Sequence, residues 1–272
     1  LGALVAAGAA LAAAAALAGE LALEGTPTQG ALLVGRVQPG SRVAVDGRPV
    51  RVSPEGLFLI GFGRDAPPVA RLAVASAGGG AATRTIHVEQ RTYEVQRIDG
   101  LPERQVTPDA DTLRRIEDER AAIADRRTRD TDRPDFASGF AWPVAGTITG
   151  VFGSRRVLNG RPRSPHFGVD VTAPAGTPVE AAAAGTVTLA HADMFLTGKT
   201  VMIDHGHGLA TVYAHMSEIA VSEGERVAKG QPIGRVGASG RATGPHLHWG
   251  VTLFETQLDP ALLVGPMPAS TR

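Results

Sequence analysis

"RATGPHLHWG" (Arg241–Gly250) alternates in side-chain character at a period of two, with His246 and His248 set against Leu247 and Trp249. In a helix, residues two apart point in well-separated directions. In a strand they share a face, about 7 Å apart along the chain. The stretch reads as a strand that turns Leu247 and Trp249 into a core and presents two imidazoles together.

The sequence around it continues in the same manner. "FAWPVAGTITGVFGSRR", "GTPVEAAAAGTVTLA" and "GERVAKGQPIGRVGASG" are short valine-rich runs broken by glycine, with no long helical pattern. Residues 138–265 are expected to form an antiparallel β-domain. Residues 26–100 carry a second set of short strands, including "RVAVDGRPVRV", in which Asp46-Gly47 suits a tight hairpin turn. That region reads as a small β-sandwich, immunoglobulin-like in its regular strand spacing.

Between them, residues 107–133 are densely charged, with opposite charges at i,i+4 in Asp111/Arg115, Arg114/Asp118 and Arg115/Glu119. A linker helix is expected there, with Thr107 as N-cap, Pro108 at the first helical position, and a narrow apolar stripe of Leu113, Ile116 and Ile123. The fold class is therefore mainly β: an N-terminal sandwich, a charged linker helix and a C-terminal antiparallel domain.

Composition excludes several functions. Lys+Arg and Asp+Glu balance at 27 each, which provides no broad footprint for nucleic acid. Cysteine is absent, so a disulfide framework, a thiol nucleophile and a thiolate metal site are all excluded. The Ala/Leu tract ending in Ala16-Leu17-Ala18 reads as a secretory signal or its remnant (1–18), with a membrane anchor as the alternative if it is uncleaved.

Three stretches gather the chemistry: "SPHFGVDV" with His166 and Asp170, "VYAHMSE" with His215, and "GPHLHWG" with His246 and His248. On a strand, His166 and Asp170 would lie on one face. A zinc hydrolase needs three protein ligands and an open position for water. His166, Asp170 and one of His246/His248 supply such a set, leaving the other and His215 as base and oxyanion stabiliser. No HExxH helix and no GxSxG elbow is present. His205 and His207 in "DHGHG" sit beside glycines in a turn. We read His205 as structural and His207 as a groove or surface residue.

These residues resemble the lysostaphin-type (LytM-like) zinc endopeptidases, which cut peptide cross-links in bacterial peptidoglycan. The likeness spans about Phe140 to Pro260 and includes "GVFGSRR", "APAGTPVEAAAAGTV" and "IDHGHGL". It implies a compact antiparallel β-fold and one Zn2+ held by His166, Asp170 and His248. It also implies His246 as general base with His215 as its catalytic partner, although the pattern leaves open which of the two takes the proton. The turn "MFLTGKT" departs from the family's usual "YGN"-like sequence. The arginine-rich "RRVLNGRPRSP" could contact acidic groups of a stem peptide or be a solvated loop.

The implied substrate is a peptidoglycan cross-link, most simply a direct D,D-link, met in a Gram-negative periplasm. A regulator of other wall hydrolases on the same fold is the second reading; it is expected to lack part of the five-residue set. A lipoyl-type carrier fails, because neither Lys199 nor Lys229 lies in a Met-Lys-Met turn. The N-terminal domain is expected to position the enzyme, bind a partner or cover the catalytic groove.

Overall fold

Asp46 and Gly47 both take positive φ, at 49° and 77°, the backbone of a two-residue type I′ turn. The turn makes β3 (Arg42–Val45) and β4 (Arg48–Val50) immediate neighbours, with Val45 opposite Arg48. A computed structural model describes residues 21–100 and 107–268; the signal-like tract 1–18 lies outside the described residues. The chain divides into two compact units, Leu1–Arg91 and Thr92–Arg272.

The first unit pairs β1 (Ala22–Glu24), β2 (Leu32–Arg36) and β5 (Leu57–Gly61) in one antiparallel sheet. A second sheet runs β4-β3-β6-β7, adding β6 (Val69–Ala75) and β7 (Ala81–His87). Leu33, Phe58 and Ile60 from the first meet Val43, Leu72, Val74 and Ile86 from the second in one buried cluster. In a constant-type immunoglobulin domain the fourth strand joins the sheet of the first, second and fifth. Here the Asp46-Gly47 turn is too short for that crossing and keeps β4 beside β3.

The second unit begins earlier than the sequence suggested. Residues 92–98, read from sequence as part of the N-terminal β-domain (26–100), belong to this unit. There β8 (Val95–Ile98) runs parallel to β10 (Arg155–Leu158), with Gln96 opposite Arg156. Next comes α1 (Ala110–Arg127), whose N-cap is Asp109 and not Thr107: the Asp109 carboxylate accepts from the Thr112 N–H at 2.8 Å. This charged acceptor at the helix start is held below its ordinary pKa by its bonds to Thr112.

The main sheet of this unit runs β18-β14-β15-β16-β20-β12-β9, with β21 paired to β20. Its members are β9 (Thr147–Gly150), β12 (Val169–Thr172), β14 (Gly185–Met194), β15 (Gly198–Asp204), β16 (Leu209–Met216), β18 (Arg226–Val227), β20 (Leu247–Leu253) and β21 (Thr256–Leu258). The short β11 (Arg161–Pro162) extends β10, and β13 (Pro178–Glu180), β19 (Pro232–Arg235) and β17 (Glu218–Ile219) form a separate three-stranded sheet.

Register assigns the faces. Trp249 pairs with both Tyr213 and Val169, and all three are fully buried, as the sequence pattern of β20 required. One residue on, His248 lies opposite both Asp170 and Ala214, on the other face. On that same face α1 rests Ile123 against Leu189, Met194, Met202 and Val212. The Glu119 carboxylate accepts from the Phe195 N–H at 2.8 Å, so the helix also braces the β14–β15 turn. Among the described residues no helix is long and apolar enough to cross a membrane.

Both histidines of "DHGHG" are interior. His207, read from sequence as a groove or surface residue, is 2% exposed and packs edge-on against Phe136. The turn that carries it is covered by the segment around Thr131, whose carbonyl accepts the His207 N–H. His205 is fully buried, donates from Nδ1 to the Ala184 carbonyl at 2.6 Å, and has Nε2 2.8 Å from Thr211 Oγ1.

Burial lowers the His205 pKa, so the native ring resists protonation while the unfolded one does not. Above about pH 6.5 both states are neutral and the effect vanishes. Below that value the unfolded chain binds the extra proton, and stability falls as pH falls. Urea midpoints compared at pH 7.5 and 5.5 are expected to drop more in the parent chain than in His205→Gln; equal drops would remove His205 from this account.

Candidate metal centre and its histidine pair

His166 reaches the site from a loop, not from the strand that the four-residue spacing suggested. β12 starts only at Val169. The His166 main chain is pinned instead to the turn before β10: its N–H donates to the Ser154 carbonyl at 2.9 Å, and its carbonyl accepts from the Gly153 N–H at 2.7 Å. Gly168 permits this, since a Cβ there would lie 2.5 Å from the Trp249 carbonyl oxygen and 2.7 Å from the His248 ring.

Asp170 and His248 are cross-strand partners and therefore share a face. His166 Nε2 and Asp170 Oδ1 are 3.0 Å apart, His248 Nδ1 and Asp170 Oδ1 2.8 Å, and the two nitrogens 3.0 Å. Among the described residues these three are the group whose donor atoms converge closely enough to hold a metal ion.

The tautomers follow from the outer contacts. His166 Nδ1 lies 3.1 Å from the Val151 carbonyl oxygen. A carbonyl only accepts, so Nδ1 carries the proton and Nε2 turns its lone pair toward Asp170. Two acceptors facing each other at 3.0 Å repel unless a cation lies between them. The donor set of two imidazole nitrogens and one carboxylate oxygen fits such a cation. Burial holds the His166 pKa down to about 4. For Asp170, burial alone would raise the pKa, but its close contacts with His166 and His248 outweigh burial and hold the carboxyl below the ordinary carboxylate range.

His215 arrives by a different device. Along β16, residues 213 and 215 should share a face by simple alternation, and Tyr213 faces the core. The β15–β16 register slips here: Tyr213 pairs with Val201 and Met216 with Lys199, so Ala214 and His215 together oppose Thr200. His215 sits in this bulge with φ at 63°, a left-handed conformation uncommon outside glycine. The slip swings its ring onto the face of His248, 6.2 Å from that ring and 4.7 Å from His246.

His246 lies just before β20, bridged to Gly237 by its N–H. His215 Nδ1 is 2.8 Å from the Ser239 carbonyl and His246 Nδ1 2.8 Å from the Gly244 carbonyl. Both rings are thus protonated on Nδ1 and direct Nε2 elsewhere. The two histidines of "HLH" diverge: one joins Asp170, the other lies beside His215 with its ring tilted 44°.

Sequence reading missed Arg156, which it left in a loop of undecided role. Arg156 lies in β10 and donates to the outer Asp170 oxygen, Oδ2, at 2.6 Å, while its Nε reaches Gln96 at 3.2 Å. The Gln96 contact depends on the pairing of β8 with β10, some sixty residues apart in sequence, and the Asp170 contact on the approach of β10 to β12, and no local pattern reveals either. Gly150 leaves space for it, as a Cβ there would meet Asp170 Oδ2 at 2.4 Å. Arg156→Gln is expected to weaken metal affinity about 10- to 100-fold, the usual cost of losing an outer partner. Chelator competition measures this, and unchanged affinity would count against an orienting role.

Two imidazoles and a carboxylate, with a second imidazole pair beside them, are the donor chemistry of metallopeptidase centres. Comparison with known proteins agrees. The profile described as Peptidase family M23 matches residues 164–260, a span that contains all five residues. A crystal structure of a chain from Pseudomonas aeruginosa, assigned to peptidase M23, is 32% identical, superposes with a TM-score of 0.65, and covers 87% of this chain and 94% of its own. The chain belongs to peptidase family M23.

Curated relatives include a DD-carboxypeptidase/endopeptidase, Mpg, of Neisseria meningitidis, 41% identical over 107 residues (39% of this chain and 24% of that protein). A peptidoglycan DD-endopeptidase, ShyA, of Vibrio cholerae is 43% identical over 86 residues (32% and 20%). The matched regions span about a quarter or less of these relatives' length.

Proposed function

We propose that this chain is a zinc-dependent endopeptidase that hydrolyses peptide cross-links of bacterial peptidoglycan, with D,D-links as the bond and the periplasm as the compartment. The observation that carries this reading is the convergence of His166 Nε2, Asp170 Oδ1 and His248 Nδ1 within 3.0 Å of one another, beside the His215/His246 pair. The names of the relatives from Neisseria and Vibrio support the substrate. The catalytic body is read as residues 138–265.

In this reading His166, Asp170 and His248 hold a single Zn2+. When bound, the ion supplies Lewis acidity that polarises the scissile carbonyl and acidifies a water molecule. His246, the more exposed ring of the pair, takes the proton from the attacking water at Nε2. It returns that proton to the leaving amine as the carbon–nitrogen bond breaks, so one water is consumed for each amine and carboxyl formed. His215, bedded in β16 and fixed by the Ser239 carbonyl, sets its ring 4.7 Å from that of His246 and holds the base in place.

The test uses the full chain loaded with zinc on purified sacculi, followed by mass spectrometry of the released muropeptides. Cross-linked dimers are expected to convert to monomers, and a chelator to stop the conversion. A folded, zinc-loaded protein that cleaves neither direct nor glycine-bridged walls would overturn the reading. The fragments themselves identify the bond.

A further inference from the structure

Asp170 belongs to the main sheet, but the arginine that grips it does not. Arg156 stands on β10, in a separate three-stranded sheet ordered β11-β10-β8. One neighbour of β10 is the two-residue β11, joined to it as a hairpin. A hairpin alone is marginal in water, so β8 is what makes this sheet a stable platform. Main-chain bonds hold β8 at both ends. The Arg155 N–H donates to the Glu94 carbonyl at 2.8 Å, and the Asn159 N–H to the Ile98 carbonyl at 2.9 Å.

Within that pairing Gln96 lies opposite Arg156. Its Oε1 accepts from Arg156 Nε at 3.2 Å, while Nη2 of the same guanidinium donates to Asp170 Oδ2 at 2.6 Å. A guanidinium is planar and rigid, so a hold on Nε fixes the direction of Nη2. Without the Gln96 amide, Arg156 would keep its attraction to the carboxylate but could swing about its long stem. Asp170 would then lose the fixed donor that orients it toward the two imidazoles.

The same segment braces a second donor. A Cβ on Gly153 would lie 2.1 Å from the Tyr93 ring, which meets Phe152 edge-on with 6.4 Å between ring centres. Gly153 in turn holds the His166 main chain. Gln96 and Ile98 also line a cavity of about 410 Å3 that borders Asp170, His215 and His246. Residues 93–98 thus back two of the three donor residues from outside 164–260, the span that matches the family, and from outside the 138–265 body.

We propose that Gln96 is a positioning residue of the metal centre: delivered by β8, its side-chain amide sets Arg156 and, through it, the carboxylate of Asp170. The proposal rests on the zinc reading above and extends the centre to a strand that precedes α1 in the chain.

The test is a double-mutant cycle on zinc affinity in the full chain, read by chelator competition. Gln96→Met keeps the length of the side chain and removes the acceptor. The β8–β10 bonds are main-chain, so the variant should fold, and Gln96→Ser repeats the comparison with a smaller side chain. Thermal unfolding of the metal-free protein reads the fold apart from the site and is expected to be unchanged. Gln96→Met is expected to weaken zinc binding about three- to tenfold, the worth of one hydrogen bond. In the Arg156→Gln background the same change is expected to cost less than about twofold, because the relay is already cut. With Co2+ in place of zinc, the visible absorption bands of Gln96→Met are expected to move toward those of Arg156→Gln.

Parental affinity in both Gln96 variants would overturn the proposal. So would an equal loss in both backgrounds, the mark of a general structural role. A parent chain that takes up no zinc would overturn the metal centre together with this inference. A parent that binds zinc and cleaves no wall would overturn only the endopeptidase reading, since no step of the cycle uses turnover.

Discussion

His246→Ala is expected to keep its metal and lose cross-link cleavage by about 10²- to 10⁴-fold, the usual contribution of a positioned proton-transfer group. The separation of the two losses follows from geometry. His246 lies outside the triangle of donor atoms; its Nδ1–H goes to the Gly244 carbonyl and its ring lies tilted against His215. Removing it deletes no ligand and leaves the His248–Asp170 contact in place. Metal content by elemental analysis, alongside kcat/KM on a cross-linked peptide, makes the comparison. If metal and activity disappeared together, His246 would have to be reassigned as a ligand.

Asp170→Ala should do the opposite and abolish metal retention, with affinity falling by well over the roughly 100-fold typical of an outer-partner loss. The carboxylate is the only negative charge in the donor set, and it also neutralises Arg156, whose nitrogen lies 2.6 Å from Oδ2. Without it, two neutral imidazoles would have to attract a dication with an unpaired guanidinium alongside. Asp170→Asn tests the electrostatic part by keeping the shape while removing the charge, and it should also lose most of the affinity. Stoichiometric metal at parental affinity in either variant would remove Asp170 from the ligand set.

The chemistry was more legible in the sequence than the route by which the fold assembles it. Period-two alternation placed Trp249 and Leu247 in a core and His248 on the opposite face, because that rule depends only on the strand. Asp46-Gly47 announced its hairpin for a similar local reason. What failed was non-local. The four-residue spacing of His166 and Asp170 suggested one strand, yet His166 is held by the turn at Gly153 and Ser154. The pairing of β8 with β10 is parallel and spans about sixty positions, and no local pattern encodes it. Asp109 took the cap from Thr107 because its carboxylate sits where the Thr112 N–H needs an acceptor. The contact of Arg156 with Asp170 joins strands of two different sheets, β10 and β12, and so stayed hidden from any local pattern.

The bulge at His215 bears on any attempt to transplant this site. Copying five side chains onto a regular antiparallel sheet would bury the imidazole equivalent to His215, since its strand position shares the phase of Tyr213. A host must also provide an extra residue at that point, with the histidine in a left-handed conformation costing about 1–3 kcal/mol. The arrangement is therefore portable only as backbone and side chains together, and a design scored on side-chain placement alone would discard the element that puts the fifth residue within reach.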